Sequence, residues 1–209
     1  MKKKSFLSAK NVTTLAVLLA LVIVLQGLGG VFSIGVVTLN FTLIPLVLGA
    51  ILLGPYAGAF LGAVSGAVVL GQVITAPVDP AGFYYLIWTN SPVVTTLICL
   101  VKTTVAGFVA GIIFDLLKKK KRRVAIFVAS GIVPIVNTGL FIYGCLCMWD
   151  TIALVAASWG LAGQSVFKVI VVYIVTYNFF FEFAINLLVA PGLHTVYNVV
   201  EKQFKRGRR

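Results

Sequence analysis

The sequence predicts an all-α membrane protein, a single bundle of six transmembrane helices with both termini in the cytoplasm. Its 209 residues are 60% hydrophobic and 11% charged, with a mean hydropathy of +1.09, whereas a soluble domain carries about 25% charged residues. The apolar residues fall into about six stretches that approach the ~20 residues a helix needs to cross a bilayer. We therefore expect one integral membrane domain over residues 1–209 and no separate soluble domain.

A basic run at 118–123, KKKKRR, orients these stretches. It must lie in water, because each charge in hydrocarbon costs several kcal/mol, and short loops rich in Lys and Arg stay cytoplasmic. Four more cations precede the first stretch and five lie in the last eight residues, which leaves only Lys102 and Lys168 elsewhere. Six spans bring all three cationic groups to the cytoplasm and the loops with Asp79 and Asp150 outside. Anionic lipid headgroups suit this charge, and nucleic acid is not required.

The breaks between apolar stretches define the individual spans. The first stretch has no clear small-residue cleavage site, so we expect it to be retained as a helix. Gly54-Pro55 makes a turn between the second and third spans, and Pro191 kinks or ends the last one. The intervals 76–92 and 149–164 form outer loops, the second partly helical. The predicted spans are 12–28, 39–53, 56–75, 93–117, 124–148 and 166–189.

Small residues form two stripes at four-residue spacing, which places them on one helix face. The third span carries Gly54, Gly58, Gly62 and Gly66. Such a stripe permits close backbone packing, and it is either a fixed packing surface or one along which helices slide. Ala16 and Ala20 form a shorter stripe in the first span, which suits either packing within the bundle or docking of a partner helix.

Polar side chains in the last span share one face. Asn178, Glu182 and Asn186 are each four residues apart, and an acid inside a membrane is by default a candidate functional residue. Asn137 in the fifth span is a further candidate. These groups either clamp the last two spans together or contact a ligand directly.

Lys102 lies in the fourth span, about four turns outward from the basic run. Three roles are open: its ammonium extends to the outer surface, pairs with Glu182 or Asp79, or binds an anionic ligand. Asn40, Trp88 and Asn90 are expected to line the same outward-facing cavity, because ligand sites combine aromatic side chains with a few fixed polar groups. The candidate binding residues are Asn40, Trp88, Asn90, Lys102, Asn137, Asn178 and Glu182.

Motifs for catalysis are absent from the sequence. It contains neither G-x-x-x-x-G-K-[ST], which binds ATP phosphates, nor the zinc motif H-E-x-x-H. The cysteines have no metal-ligand spacing, and the single histidine, His194, is expected at the cytoplasmic interface. We therefore predict no enzyme activity, no cofactor and no metal.

Together these residues resemble the substrate-binding S component of an energy-coupling factor (ECF) transporter, the vitamin-uptake branch of the ABC transporters. The resemblance covers nearly the whole chain. It rests on the Ala16/Ala20 pair, the segment 40–45 (NFTLIP) leading to Gly54-Pro55, the glycine-rich third span, the segment 134–139 (PIVNTG) and the Asn178/Glu182/Asn186 stripe.

The resemblance implies a function and partners, by analogy at the level of the fold. It implies a vitamin site near the outer face of a bacterial membrane protein, built by helices 4 to 6 and the outer loops, with the first loop as a gate. Ala16 and Ala20 would contact a transmembrane T component, and two ATPase subunits would supply energy. The S component would topple in the membrane to deliver its ligand.

The substrate is less defined than the family. Lys102 favours a carboxylate, as in pantothenate or a folate-like vitamin, whereas Tyr84, Trp88, Tyr143 and Trp149 suit a flat ring such as riboflavin. Pantothenate is the first choice. Two other functions are open: a stand-alone secondary transporter with Glu182 as its proton-coupling group, and a membrane scaffold that binds no small molecule. Such transporters often consist of two related halves, which this sequence lacks.

Overall fold

A computed structural model describes residues 9–29, 33–34, 37–38, 40–75 and 82–206, and nearly all of them are helical. A two-residue strand, β1 (Ser33–Ile34), pairs antiparallel with β2 (Val37–Thr38) between the first two helices. The helices are α1 (Ala9–Gly29), α2 (Leu43–Leu53), α3 (Pro55–Thr75), α4 (Phe83–Asn90), α5 (Pro92–Leu117), α6 (Arg122–Cys147), α7 (Trp149–Ser158), α8 (Val166–Lys168) and α9 (Thr176–Arg206). A π-helical segment, Val169–Val175, joins α8 to α9 without a break.

Five stretches of helix in the described part of the chain are long and apolar enough to cross a membrane. They are Ala9–Leu28, Pro55–Thr75, Pro92–Leu117, Arg122–Cys147 and Val166–Gln203. The predicted second span, 39–53, contains only the 11 residues of α2, a helix about 16 Å long against a hydrocarbon core of about 30 Å. The described part of the chain is thus almost entirely helical, with five candidate spans. The sixth span and the side of the termini stay predictions.

The glycine stripe of α3 packs directly on the backbone of α5. A Cβ at Gly62 would lie 2.2 Å from the carbonyl oxygen of Thr103, and one at Gly58 would lie 2.4 Å from that of Gly107. Thr103 Oγ1 also donates a hydrogen bond of 2.7 Å to the Gly62 carbonyl oxygen. These contacts support the packing interpretation. Gly54 lies before α3, in the α2–α3 turn, with a positive φ of 101°.

The last helix continues past Pro191, so of the two expectations for this proline, a kink or an end, the end is wrong and the kink stays a prediction. A proline in a membrane helix is tolerated when neighbouring groups compensate for its lost hydrogen bond, and α9 runs on to Arg206. Contacts to α6 support this extension. The Arg122 guanidinium donates hydrogen bonds of 2.7 and 3.3 Å to the Glu201 carboxylate and lies 5.1 Å from the centre of the Tyr197 ring.

Two clusters of buried apolar side chains form most of the core. One joins α4 and α7 to the ends of α5 and α6 and to the π-helical segment, around Phe83, Ile152 and Ile170. The other joins α2, α5, α6 and α9 around Leu46 and Phe114. Polar residues from several helices, together with Asn40, line a cavity beside the first cluster, and they form the candidate site.

Candidate functional site

A cavity lies between the helices, beside the apolar cluster under α4 and α7. Its empty space, counted out to the open mouth, is about 790 Å³. Most of its wall is apolar, with a few polar groups, as is usual for a small-molecule site. The lining residues come from α1, from α3 to α6 and Met148 after it, from the segment before α2, and from the π-helical segment and α9. The polar ones are Gln26, Asn40, Tyr84, Thr95, Lys102, Asn137, Thr138, Asn178 and Glu182.

Glu182 is the acid among the residues that line the cavity. Its side chain is only 3% exposed. Its Oε1 accepts hydrogen bonds from the backbone N–H of Asn40, at 2.9 Å, and from Asn178 Nδ2, at 3.1 Å. Asn186 Nδ2 donates a hydrogen bond of 2.8 Å to the backbone carbonyl of Glu182. The segment before α2 and the neighbouring turns of α9 therefore hold the carboxylate in one orientation.

Several buried carboxylate and amide oxygens on α6 and α9 have no hydrogen-bond partner among the described residues. They are Oε2 of Glu182 and the amide oxygens of Asn137, Asn178 and Asn186. Asn137 and Glu182 line the cavity and are buried to more than nine-tenths. Leaving a buried acceptor without a partner costs about 1–3 kcal/mol. This wall is therefore suited to a partner that donates hydrogen bonds.

Lys102 reaches the cavity from α5. It is half-buried, and its Nζ lies 4.9 Å from the centre of the Phe141 ring, a cation–π contact. The ion pairs of the described residues are Lys118–Asp115 and Arg122–Glu201, so Lys102 and Glu182 do not pair with each other. Asp79, its other proposed partner, lies outside the described residues. The cavity thus holds one cation and one acid at separate places.

A polar network behind the cavity connects α1 to Glu182. Thr42 Oγ1 lies 3.3 Å from Gln26 Oε1 and 2.7 Å from the Ser65 hydroxyl, and it donates to Asn40 Oδ1. Gln26 Nε2 donates to Gln72 Oε1 at 3.0 Å, and Gln72 Nε2 returns a bond of 3.1 Å to the Gln26 carbonyl. Because the Asn40 N–H also bonds to Glu182, this group of polar contacts extends from α1 to the acid.

The sequence matches one family of proteins over most of its length. The family model for the substrate-specific component of ECF transporters matches residues 10–194. The chain belongs to this family. No individual curated protein matches it. An ECF S component is a substrate-binding subunit of a membrane transporter and not an enzyme, and it works with T and ATPase subunits.

The cavity of this S component includes five of the seven predicted binding residues, namely Asn40, Lys102, Asn137, Asn178 and Glu182. Trp88 and Asn90 do not line it. Trp88 packs against the apolar cluster under α4 and α7. Asn90 is exposed, and its Nδ2 donates a hydrogen bond of 2.9 Å to the Leu86 backbone carbonyl.

The aromatic part of the wall differs from the predicted set of rings. Tyr84 lines the cavity together with Phe83 and Phe141, which the sequence did not single out. Tyr143 and Trp149 are 67% and 48% exposed and lie away from the wall. The cavity of this S component therefore has aromatic side chains but lacks three of the four rings expected to bind a flat ligand.

Ala16 and Ala20 lie on an exposed face of α1. The opposite face packs into the bundle through Leu18 and Val22, which are 3% and 0% exposed. Of the most apolar window of α1, only 17% is buried, against 33–44% in the other candidate spans. In this S component the two alanines are therefore not buried against the other described residues.

Proposed function

We propose that this S component captures a water-soluble vitamin or related micronutrient outside the cell and delivers it inward. The observation that carries the proposal is the cavity itself, which places Lys102 and Glu182 in one largely apolar wall. An apolar wall holds the body of a ligand, while a few fixed polar groups select it. The family supplies the transport role, and the cavity supplies a place for the cargo.

Pantothenate is the first substrate we propose, with riboflavin and folate-like vitamins as the other candidates. Lys102 supports an acid, since an ammonium group donates up to three hydrogen bonds and accepts none. The distribution of rings favours pantothenate over riboflavin, because Tyr143 and Trp149 are exposed away from the cavity.

Delivery would require the S component to reorient in the bilayer and to dock on the T component through Ala16 and Ala20. Two properties support this proposal. The exposed surface of the long helices carries large apolar side chains, such as Val93, Leu116 and Leu188. The face of α1 with the two alanines is open, and small residues let a partner helix approach closely.

Reconstituted transport tests this function. Proteoliposomes would contain the S component with or without an ECF module of T and two ATPase subunits, and uptake of radiolabelled pantothenate, riboflavin and folate would be followed. We expect uptake of one vitamin, pantothenate first, only with the module and ATP. Uptake without the module but driven by a proton gradient, and lost in Glu182→Gln, would support the secondary transporter instead. No uptake and no binding of any vitamin would contradict the proposal and favour the scaffold.

A further inference from the structure

The cavity is lined both by hydrogen-bond acceptors and by one cation, Lys102. The acceptors are Glu182 Oε2, Asn137 Oδ1 and Asn178 Oδ1, none of which has a partner among the described residues. Asn137 is 4% exposed and Glu182 is 3% exposed, so neither is open to bulk water. Both residues line the cavity, and they belong to different helices, α6 and α9.

The hydrogen bonds already made at Glu182 determine what the remaining oxygen can bind. Oε1 is engaged by the Asn40 N–H and by Asn178 Nδ2. Asn178 donates in this bond, so its amide oxygen is left as an acceptor. Oε2 and this amide oxygen, together with Asn137 Oδ1, are then matched by O–H or N–H groups and mismatched by a carbonyl or a carboxylate.

Lys102 provides the opposite requirement. Its ammonium group is held over the Phe141 ring, and it pairs with none of the acids in the described part of the chain. A desolvated cation is stabilised most by an anion that accepts charge-assisted hydrogen bonds. A ligand carboxylate beside Lys102 would supply such an acceptor. Its charge would balance that of Lys102, so that only the charge of Glu182 would be left without a counter-charge in the filled cavity.

We propose that the ligand is a carboxylic acid that carries O–H or N–H donors away from its carboxylate. Lys102 binds the acid, while Glu182, Asn137 and Asn178 accept from the donors. The inference rests on the proposed function, since it concerns the cargo of the same cavity. It excludes acids without donors, neutral molecules and organic cations as tight ligands of this S component.

Calorimetry on the full chain in detergent separates these chemistries. Pantothenate and folate are acids with donors. Pantothenol keeps the donors of pantothenate but has an alcohol in place of the acid, nicotinate is an acid without donors, riboflavin is an uncharged molecule rich in donors, and thiamine is a cation. We expect pantothenate or folate to bind, and the other four to bind at least about tenfold more weakly, the effect of one lost charge-assisted hydrogen bond.

Two variants test the acceptor wall with the acid that binds. Glu182→Gln places an amide N–H₂ at the carboxylate, and Asn137→Ala removes an acceptor; each is expected to weaken binding by at least about tenfold. Asn90→Ala is the control, because Asn90 is exposed and outside the cavity, and it should leave the affinity unchanged. Unfolding temperatures measured without ligand would show that each variant folds.

The outcomes distinguish this inference from the proposed function. Tight binding of riboflavin, thiamine, nicotinate or pantothenol would overturn the inferred ligand chemistry while leaving a vitamin-binding subunit. Wild-type affinity in a folded Glu182→Gln variant would overturn the acceptor role. If none of the six compounds binds, the small molecules released from the protein purified from cells decide the matter: an acid with donors supports the inference, another vitamin overturns the inference alone, and no released molecule overturns the proposed function as well.

Discussion

At the scale of single residues, the chemical character of the cavity depends on a few polar side chains among apolar ones. The spacing of Asn178, Glu182 and Asn186 predicted that they share one face, and hydrogen bonds connect all three along α9. The bond from the Asn40 N–H to Glu182 joins residues 142 positions apart. No local pattern predicts such a contact, because it depends on how the segment before α2 packs on α9.

The first prediction concerns Lys102. Lys102→Ala should weaken an anionic ligand by at least about tenfold, because it removes the cation that would pair with a carboxylate in a partly desolvated site. Calorimetry with pantothenate measures the change. Lys168→Ala is the matched control, since Lys168 is exposed and its Nζ donates to Gln164 instead. An unchanged affinity in Lys102→Ala would remove this residue from the site.

Other residues of the site were not predictable from single positions. Gln26 and Ser65 lie in apolar helices. A polar side chain within an apolar span was the one signal in the sequence that could have identified them. Trp88 and Asn90 were expected in the cavity because one is aromatic, the other is polar, and both belong to the interval predicted as an outer loop. They lie elsewhere because α4 turns Phe83, Tyr84 and Ile87 inward, which directs the last turn of this short helix away from the wall.

At the scale of elements, close packing of α3 on α5 supports the wall that carries Lys102. Periodicity predicted the glycine face of α3 but not which helix covers it, since every long helix here is apolar all round. The same uniform apolarity hid two features. The short length of α2 and the π-helical segment Val169–Val175 both depend on packing rather than on composition.

The second prediction concerns this packing. Gly62→Ala should lower the unfolding temperature, because its Cβ would meet the carbonyl group of Thr103 at 2.2 Å and force backbone atoms apart, an overpacking effect of about 1–3 kcal/mol. Thermal unfolding in detergent measures the shift. Gly71→Ala in the same helix has no atom within 4 Å of its Cβ and should be neutral or stabilising. Equal stability of the two variants would contradict the packing argument.

The third prediction concerns the exposed face of α1. Replacing both Ala16 and Ala20 with Arg should abolish uptake with the ECF module while leaving ligand binding intact, because bulky charged side chains block close approach of a partner helix. Ala184→Arg, at an exposed alanine of α9, controls for a charge placed on the lipid-facing surface. Parallel transport and calorimetry measure both properties. Loss of ligand binding together with uptake would show that the two alanines are not a docking surface.

At the scale of the whole molecule, composition and the positions of the cations carried most of the prediction. They predicted an all-helical membrane protein, which the structure supports with five candidate spans. The number of spans was harder to predict, because a count based on about 20 residues per crossing does not apply to the short, buried α2. Orientation in a bilayer follows from the cations and not from the packing of the chain.

The fourth prediction concerns this orientation. In a variant without native cysteines, Gln164→Cys should react with a membrane-impermeant maleimide in intact cells, whereas Lys119→Cys should react only after lysis, because basic loops stay cytoplasmic. Both positions are exposed in the structure, so access within the protein is matched. Labelling of Lys119→Cys in intact cells would show that the basic loop lies outside the cell and would contradict the predicted topology.

We propose that the cavity binds the cargo of this S component. The most direct measurement is to purify the chain from cells in detergent, denature it, and identify the released small molecules by mass spectrometry, with Glu182→Gln purified in parallel. We predict that one vitamin, an acid with hydrogen-bond donors, is released from the wild-type protein at about one molecule per chain. The variant should release much less of it. The same vitamin at equal occupancy in both proteins would contradict a binding site at Glu182.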